Sequence, residues 1–422
     1  MSLRIEETDL LDADVRVFNI RNLKRVDAFI VLLTLVLAFV GVLTQYSASY
    51  GASSVLGTET EKSTFSQIFW KLFTGYSGKQ IGFLGIGVLC AVVVACLDYR
   101  FLVAIGPVVY IVIVAMLVLT LFSPLGYAVR GARRWLDLGL IRIQPSEFSK
   151  LGLIFMLAWY GSRVGPKLQK LGYLLFAFVL VAIPCGLIFL QPSLSTAVAL
   201  LPAALIMLYI AGCRLLHFFL LGLLVLFPAT VVINQALDYE EIGPEAYNAK
   251  HYPLGIKLKE TQVQRILTFI LPNPDPKKTG YHALQARITV GSGQLAGKGF
   301  LKGTQTHLSF LPDFHTDFIF ALLAEEWGFV GATAVIVLFL LFFQRGLSLA
   351  FSCPDPAGRL LGVGCASLLA FHAFTNMAVT VGLLPVTGMP LPFLSYGGSF
   401  YITTCLCVGC LLSIQVRKRF FQ

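Results

Sequence analysis

The sequence contains few charged residues. Asp, Glu, Lys and Arg make up 13% of the 422 residues, whereas soluble globular proteins carry about a quarter. Hydrophobic residues make up 57%, and apolar runs close to twenty residues long recur along the whole chain. A run of about 18 or more apolar residues is typical of a membrane-spanning helix. The scarcity of charge therefore argues against a soluble protein and predicts an integral membrane protein.

Other common features are also missing. The first 26 residues mix acidic and basic side chains without a short apolar core and cleavage site, so a cleaved signal peptide is not expected. None of the nine cysteines lies in a predicted outer loop, which argues against a disulfide scaffold. Cys407 and Cys410 have the spacing of a redox motif, but their apolar helix favours simple packing. No linker or nucleic-acid motif is found. We expect a cytoplasmic tail (1–26) and one membrane domain (27–422).

Ten apolar segments predict an all-α protein with about ten transmembrane helices. They are Ala28–Tyr46, Ile81–Leu97, Phe101–Phe122, Glu147–Tyr160, Leu171–Leu190, Leu194–Ala211, Leu215–Gln235, Phe318–Phe343, Leu360–Leu384 and Leu394–Val416. Basic residues next to spans stay on the cytoplasmic side. With the N-terminus inside, fifteen Lys and Arg residues fall in inner segments and seven in the short outer loops. Both termini are therefore expected in the cytoplasm, and the long loop 236–317 outside, after the seventh span.

The first polar block, GARRWLDLGLIRIQPSEFSK, precedes the fourth predicted span. Arg133, Arg134 and Trp135 suit an anchor at the membrane interface. Alternatively, the two guanidinium groups form a clamp for a pyrophosphate. Glu147 and Lys150 are three residues apart on one helical face, so they can pair. A lone ammonium within a span is costly, and we expect Lys150 to face a cavity.

The second block is the long outer loop. His282–Val290 has the pattern of a short helix that lies in the interface plane. Five glycines follow between Gly291 and Gly303, with Lys298 among them. Closely spaced glycines let backbone N–H groups approach a phosphate. An ordinary flexible loop explains the same spacing.

The third block, FLPDFHTDFIFALLAEEWGFVGA, runs from polar residues straight into an apolar helix. Asp317 is either an acid at the helix start or a general base at the membrane boundary. Glu325 is about 80° around the helix from Asp317, and Glu326 about 180°. We therefore expect one of the two glutamates to line a cavity and the other to bind a neighbouring helix.

The fourth block, GLLPVTGMPLPFLSYGGSF, contains three prolines that forbid a regular helix. Irregular backbone at membrane depth survives only when it is buried in protein or lines water. The next residues, Ser395, Tyr396, Gly397 and Gly398, open the last span and can present N–H groups to an anion. The alternative is a packed re-entrant corner.

Together, these blocks resemble the RodA/FtsW family, the SEDS glycosyltransferases of bacterial cell-wall growth. The segments that carry the resemblance are GARRWLDLG, QPSEFSK, FLPDFHTDFIFALLAEE and LPVTGMPLPFLSYGGS. GSGQLAGKGFLKGTQ followed by FLPDFHTDF is more similar to the RodA (elongation) branch than to the FtsW (division) branch. The resemblance implies a ten-helix inner-membrane protein that polymerises lipid II into peptidoglycan beside a class B penicillin-binding protein.

By the same resemblance, Asp317 matches the acid of the family's HTDF block and is the implied catalytic base. It would take the proton from the acceptor GlcNAc 4-hydroxyl, which attacks the donor MurNAc as undecaprenyl pyrophosphate leaves. The implied substrate-binding residues are Arg133, Arg134, Trp135, Glu147, Lys150, Lys298, His315, Thr316, Glu325, Ser395, Tyr396, Gly397 and Gly398. A divalent cation, Mg²⁺ or Mn²⁺, at the pyrophosphate is left open.

The chain departs from the family pattern in two places. Where the family reads Gln-Pro-Asp-x-Gly, this chain has Gln191, Pro192, Ser193, Leu194 and Ser195. The missing acid is the expected partner of Lys150, so Glu147 is the nearest remaining candidate. The first outer loop, 47–77, is also longer than the usual connection.

Two other functions fit parts of the sequence. A flippase that moves lipid II without chemistry also needs a polar cavity and broken helices. A scaffold that only positions a cross-linking enzyme is the third possibility. Asp317 at the outer boundary, next to a large outer loop, favours the enzyme.

Overall fold

The computed structural model describes residues 26–55, 75–129, 132–137, 139, 142–191, 193–249, 263, 279–307 and 314–417. The predicted tail at 1–25 therefore lies outside the described residues, as do parts of both long outer loops. The helices are α1 Ala28–Val55, α2 Gly75–Cys96, α3 Tyr99–Ala104, α4 Gly106–Phe122, α5 Pro145–Val164, α6 Leu171–Leu190, α7 Leu194–Ile210, α8 Leu215–Ala249, α9 Thr279–Ser292, α10 Thr304–His307, α11 Ile319–Phe351, α12 Pro356–Thr380 and α13 Gly398–Arg417. A 3₁₀ turn, Gly165–Gln169, joins α5 to α6.

Six described helices, α1, α2, α6, α11, α12 and α13, are long and apolar enough to cross a membrane. The prediction of a helical membrane protein is confirmed. A helix overlaps each of the ten predicted spans, while the number of passages stays a prediction.

Several predicted bounds are wrong. Helix α8 continues beyond Gln235 to Ala249, with non-helical backbone at Gly243, so the first part of the supposed loop is helical. The third predicted span is divided at Ile105, because α3 ends at Ala104 and α4 begins at Gly106, followed by a proline. Helix α5 is longer than its apolar run because Pro145 starts it in the polar block.

A three-stranded antiparallel sheet, absent from the all-α prediction, connects α4 to α5. Its strands are β1 Gly126–Val129, β2 Ala132–Asp137 and β3 Arg142–Ile143, in the order β1-β2-β3. Arg142 Nε lies 3.0 Å from Asp137 Oδ2, and its guanidinium lies 4.2 Å from the centre of the Tyr127 ring. The Gly139 N–H and then Arg142 lower the pKa of the Asp137 carboxyl. These short strands alternate too briefly to produce a period-2 pattern in the sequence.

The helix ends gather at two opposite ends of the bundle. At one end Gly161 packs against Leu360 and Ala211, and Gly358 packs against Tyr99. We call it the salt-bridge end, because Asp27, Asp98 and Asp355 form ion pairs there. At the other, the hairpin end, lie the sheet β1–β3 and the segments 314–318 and 381–397.

The interior consists mainly of α5, α12 and α13. The most apolar windows of α12 and α13 have mean hydropathies of only 1.4 and 1.7, and 78% of each window is buried. Helix α6 has a value of 2.6, yet 33% of its window is buried. In a bilayer, polar helices gain by facing protein, while the most apolar ones can face lipid. The polar blocks are thereby drawn together on the buried helices.

Candidate active site

The backbone that carries Asp317 is held at three successive carbonyl groups. The carbonyl of His315 accepts hydrogen bonds from Tyr396 N (3.1 Å) and from Gln45 Nε2 (2.8 Å). The carbonyl of Thr316 accepts one from Ser395 Oγ (2.6 Å). The carbonyl of Asp317 accepts one from Asn376 Nδ2 (2.8 Å). These bonds satisfy non-helical backbone that precedes a membrane helix and fix its path.

Asp317 itself lies just outside α11. The helix begins at Ile319 with Phe318 as its N-cap residue, so Asp317 precedes the cap. Its side chain is half-buried and faces Gly388, whose φ is +72°. A Cβ atom at Gly388 would lie 3.1 Å from Asp317 Oδ2. Glycine thus lets the fourth block approach the carboxylate while one side of Asp317 stays accessible.

The fourth block is irregular, as its prolines predict. Asn376 Nδ2 also donates to the Met389 carbonyl (2.7 Å), so one amide ties this block to the Asp317 backbone. Ser395 Oγ accepts from Leu391 N (2.8 Å), closing a turn. Helix α13 then begins at Gly398. The N–H groups of Ser395 and Tyr396, predicted to face an anion, donate instead to the carbonyls of Leu391 (3.0 Å) and His315. A contact of the Gly397 and Gly398 N–H groups with an anion stays a prediction.

Aromatic rings surround His315. The Tyr76 ring stacks on the imidazole with centroids 4.4 Å apart and an interplanar angle of 16°. Tyr396 meets Tyr76 edge-on at 5.2 Å, and Phe83 lies 5.9 Å from Tyr396. Tyr76 and Phe83 belong to α2 and were not identified from the sequence, because aromatic residues are ordinary in an apolar helix. The cluster fixes the ring orientations of His315 and Tyr396.

Two buried amides in apolar helices were also missed. Gln45 Nε2 donates to the Leu394 carbonyl (2.9 Å) in addition to His315. Gln80 Nε2 donates to the Ser395 carbonyl (3.3 Å). The signal for both was available, because an amide inside a membrane helix is expensive unless it bonds with the protein interior.

The predicted pairing of Glu147 with Lys150 is confirmed. Lys150 Nζ donates to Glu147 Oε2 at 2.7 Å, and both side chains are buried. Contrary to expectation, Lys150 therefore does not face an open cavity. The ammonium lies 5.2 Å from the centre of the Phe400 ring, against which the His372 ring also packs at 5.0 Å. Phe400 belongs to α13, so this pair lies beside the helix that the fourth block opens.

Ser193, the position without the family's acid, is also buried. It is the N-cap residue of α7, and its hydroxyl lies 2.9 Å from Thr196 Oγ1. Helices α5 and α7 pack against each other. Glu147 is therefore the carboxylate that partners Lys150 in this structure.

Helix α11 is broken at Gly328, where φ is +68° and ψ is −168°. The carbonyl groups freed at Glu325 and Glu326 accept hydrogen bonds from Lys298 N and Gly299 N, at 3.0 and 2.9 Å. In return, Phe329 N and Val330 N donate to the carbonyls of Gln294 and Leu295. The linker between α9 and α10 is thus inserted into the break. A continuous helix had been expected, because a single glycine does not reveal a break.

The glycines before α10 serve this insertion. A Cβ at Gly293 would lie 2.0 Å from the Ala324 carbonyl oxygen, and one at Gly297 would lie 2.1 Å from that of Glu326. At Gly293 and Gly297 close backbone packing replaces the expected flexible loop, while a contact of the other glycines with phosphate stays a prediction.

The two glutamates differ from expectation as well. Both are fully buried, so neither lines an open cavity. Glu325 Oε1 accepts from Lys298 Nζ (2.6 Å) and from the N–H groups of Thr304 and Gln305, both at 2.8 Å. Glu326 accepts from the Ser47 hydroxyl of α1, as expected for a helix-binding residue. Lys298 and Glu325 therefore have a structural role, and their contact with substrate stays a prediction.

The arginine block lies on strand β2. Arg134 Nε donates to the Gln191 carbonyl at the end of α6 (3.3 Å), and Arg133 is exposed. Trp135 is opposite Tyr127 in the sheet. The sheet meets the fourth block through Gln144 N, which donates to Ser399 Oγ (3.3 Å). All four blocks thus reach the hairpin end.

Within the described parts of the chain, no three His, Cys, Asp or Glu side chains come together in a group that could hold a metal ion. A divalent cation at the pyrophosphate stays a prediction.

The sequence matches the family of cell cycle proteins designated FtsW/RodA/SpoVE over residues 27–420. It is 35% identical over 347 residues to the peptidoglycan glycosyltransferase MrdB of Escherichia coli K12, covering 82% of this chain and 87% of that protein. It is 32% identical over 451 residues to the peptidoglycan glycosyltransferase RodA of Treponema pallidum, covering 94% and 99%.

Solved structures agree with these relatives. A chain of a peptidoglycan synthase complex that coordinates polymerization and crosslinking superposes with a TM-score of 0.69 at 27% identity, covering 93% of this chain and 98% of that one. The rod shape determining protein RodA of Thermus thermophilus superposes with a TM-score of 0.61 at 25% identity, covering 93% and 97%.

Proposed function

Because the chain belongs to the FtsW/RodA/SpoVE family of cell cycle proteins, we propose that it is a RodA-like peptidoglycan glycosyltransferase. It polymerises lipid II into glycan strands for cell-wall elongation, at the outer face of the bacterial inner membrane. The observation that carries the proposal is the half-buried Asp317 carboxylate on backbone anchored at three successive carbonyls. Rigid placement of one accessible carboxylate is what proton abstraction requires.

In the proposed reaction, Asp317 accepts the proton of the acceptor GlcNAc 4-hydroxyl. The hydroxyl oxygen forms a bond to the anomeric carbon of the donor MurNAc, while the bond from that carbon to the undecaprenyl pyrophosphate oxygen breaks. This direct displacement inverts the anomeric centre. The hydrogen bonds to the carbonyls of His315 and Thr316 hold the base in position, so little reorganisation is needed during the reaction.

The leaving pyrophosphate needs positive charge. Arg133 is exposed on β2 at the hairpin end, and Arg134 lies beside it. Guanidinium groups match phosphate oxygens with paired hydrogen bonds, so these two residues are proposed to bind the pyrophosphate. The Glu147–Lys150 pair is buried next to α13, and it is proposed to support the wall of the substrate cavity from inside the protein.

The topology that serves this reaction has ten passages, both termini in the cytoplasm, and the long loop outside. The related synthase complex couples polymerization to crosslinking. A class B penicillin-binding protein is accordingly the proposed partner, and lipid II and the growing glycan strand are the proposed substrates.

The test is a polymerisation assay. Purified protein with its cognate penicillin-binding protein receives labelled lipid II, and the glycan products are separated by electrophoresis. We expect polymer from the wild type. Asp317→Asn should lower the yield by about 10²–10⁴-fold, because the general base is lost, without lowering the melting temperature. Normal polymer from a well-folded Asp317→Asn variant contradicts the assignment. Lipid II transport without polymer would instead indicate a flippase.

The orientation is tested by labelling single cysteines in a background lacking the nine native ones, none of which is exposed among the described residues. With an impermeant thiol reagent, Lys302→Cys should react in intact spheroplasts, and Lys167→Cys only after permeabilisation. The reverse pattern would place Asp317 on the cytoplasmic side and exclude polymerisation outside.

A further inference from the structure

A groove opens between α5 and α6 at the salt-bridge end, far along both helices from the hairpin end. Its volume is about 560 Å³, and its walls are Tyr160, Lys170, Gly172, Tyr173 and Phe176. Nothing in the proposed glycosyl transfer uses these residues. They require a separate explanation.

The walls of the groove are ordered and apolar. The Tyr160 hydroxyl donates to the Tyr173 carbonyl (2.8 Å), and the Tyr160 and Phe176 rings lie 5.2 Å apart. A Cβ atom at Gly172 would have no atom of another residue within 4 Å, so the floor of the groove is open. Tyr173 and Phe176 are 42% and 49% exposed on a helix that faces lipid. The groove therefore accepts a hydrocarbon chain from the bilayer.

The mouth of the groove carries unbalanced positive charge. Lys170 is the N-cap residue of α6, Lys167 lies in the 3₁₀ turn and Arg163 in the last turn of α5. All three are exposed, and residues 161–190 contain no acidic residue. Arg214 adds a fourth cation, since its Nε bonds to Gln169 Oε1 at 3.1 Å.

This basic cluster differs from the other basic residues at the salt-bridge end in its acidic partners, which the other residues have and the cluster does not. Asp98 and Arg417 are paired with each other at 3.2 Å, and Arg100 lies 3.8 Å from Asp355. In contrast, none of the four cations at the groove pairs with an acidic side chain anywhere in the described part of the chain. Basic residues at a bilayer surface attract anionic headgroups, and basic pockets between membrane helices bind anionic lipids.

We propose that this groove binds an anionic phospholipid, with one acyl chain over Gly172 and its phosphate at Lys170, Lys167 and Arg163. Lys170 fits this role because its aliphatic stem can lie along the apolar wall while its ammonium reaches the headgroup. Tyr160 and Tyr173 fit it because tyrosines favour the membrane–water interface. The occupant needs both an anionic phosphate and a long chain, which neither free phosphate nor a neutral lipid provides.

The test uses purified full-length protein in a neutral detergent. Phosphatidylglycerol, phosphatidylcholine and inorganic phosphate are each titrated, and retained lipid is measured by native mass spectrometry and the melting temperature by thermal unfolding. We expect phosphatidylglycerol to remain bound and to raise the melting temperature. Phosphatidylcholine should bind at least tenfold more weakly, and inorganic phosphate should have no effect.

Two variants separate the two parts of the site. Lys167→Gln combined with Lys170→Gln removes two of the three headgroup contacts. Gly172→Phe places a ring in the chain groove, at a position where an added Cβ atom meets no neighbour. Each should weaken phosphatidylglycerol binding about tenfold or more. The controls are Arg100→Gln, a basic residue at the same end that has an acidic partner, and Gly82→Phe, at another glycine with open space around it. Equal binding of phosphatidylcholine, equal effects of inorganic phosphate, or unchanged binding in both groove variants would each overturn the proposal.

Discussion

The two ends of the helix bundle are held together by different kinds of bonds. At the salt-bridge end, side chains pair across helices: Arg417 Nε lies 3.2 Å from Asp98 Oδ2, and Arg345 bonds to Asp27. Arg417 also donates to the carbonyls of Ala95 and Cys96 at the end of α2. The charged side chains of these pairs are thereby engaged in holding the helices together.

At the hairpin end, the bonds run to backbone carbonyls instead. The side chains of Gln45, Asn376 and Ser395 donate hydrogen bonds to backbone carbonyls in segments 314–317 and 389–394. The side chains that hold these segments in place are thus different from the accessible side chains, such as Asp317, that the segments carry.

The comparison shows how a membrane protein can keep functional groups available. Ion pairs fasten helix ends but use up the charges that form them. Hydrogen bonds to main-chain carbonyls satisfy the irregular backbone. The side chains of that backbone are then still able to contact a substrate. Three substitutions sharpen this contrast.

The largest effect on folding is expected from Gly297→Ala at the broken helix. A Cβ atom there would lie 2.1 Å from the Glu326 carbonyl oxygen, and φ is +80°. Because backbone cannot move aside easily, we expect a loss of about 4 kcal/mol or more in the free energy of unfolding. Gly291→Ala is the matched control, since a Cβ at that position has open space. Yield and thermal unfolding measure both. Equal stability of the two variants would mean that the linker is not inserted into α11.

The next effect is expected from Asp98→Asn at the salt-bridge end. Removing one member of a buried ion pair typically costs about 3–5 kcal/mol, because the other charge stays buried. The melting temperature should therefore fall, while the polymerisation rate per folded molecule stays close to that of the wild type. Arg100→Gln, whose pair with Asp355 is partly exposed, should cost less than about 1 kcal/mol. A loss of activity per folded Asp98→Asn molecule would show that the two ends are not independent.

The smallest of the three effects is expected from Glu147→Gln, in the first turn of α5 at the hairpin end. The loss should lie near the lower end of the about 3–5 kcal/mol typical of a broken buried ion pair. The glutamine amide oxygen can still accept a hydrogen bond from Lys150, and the Phe400 ring stays beside the ammonium. Ser193→Asp should partly restore the stability by supplying an acid from α7.

A double-mutant cycle over Glu147→Gln and Ser193→Asp measures this rescue by thermal unfolding. The single Ser193→Asp variant is the necessary control, because an aspartate at an N-cap stabilises a helix by itself. Strictly additive effects would mean that Lys150 does not need either acid.

The four polar blocks were recognisable in the sequence, and the structure brings all four to one end of the bundle. The Glu147–Lys150 contact was predictable because three-residue spacing on a helix is local geometry. The break at Gly328 was not, since isolated glycines occur in intact helices. The sheet that carries Arg133 and Arg134 was missed because its strands are too short to show a period.

The sequence by itself determined that the protein resides in a membrane and roughly where its helices lie along the chain. Apolar length and scarcity of charge are properties of neighbouring residues, so they decide membrane residence before any tertiary contact forms. The order of the polar blocks likewise identifies the family without knowledge of their arrangement.

Only the tertiary structure decided which groups the polar residues bind. The bonds from Gln45 to His315 and Leu394 join residues 270 and 349 positions apart, and no local periodicity encodes such a distance. Lys298, which the sequence suggested for a phosphate, forms an ion pair with Glu325 that the sequence did not predict. A buried carboxylate takes whichever cation and N–H groups the packed fold brings to it, because leaving it unpaired in the interior costs several kcal/mol.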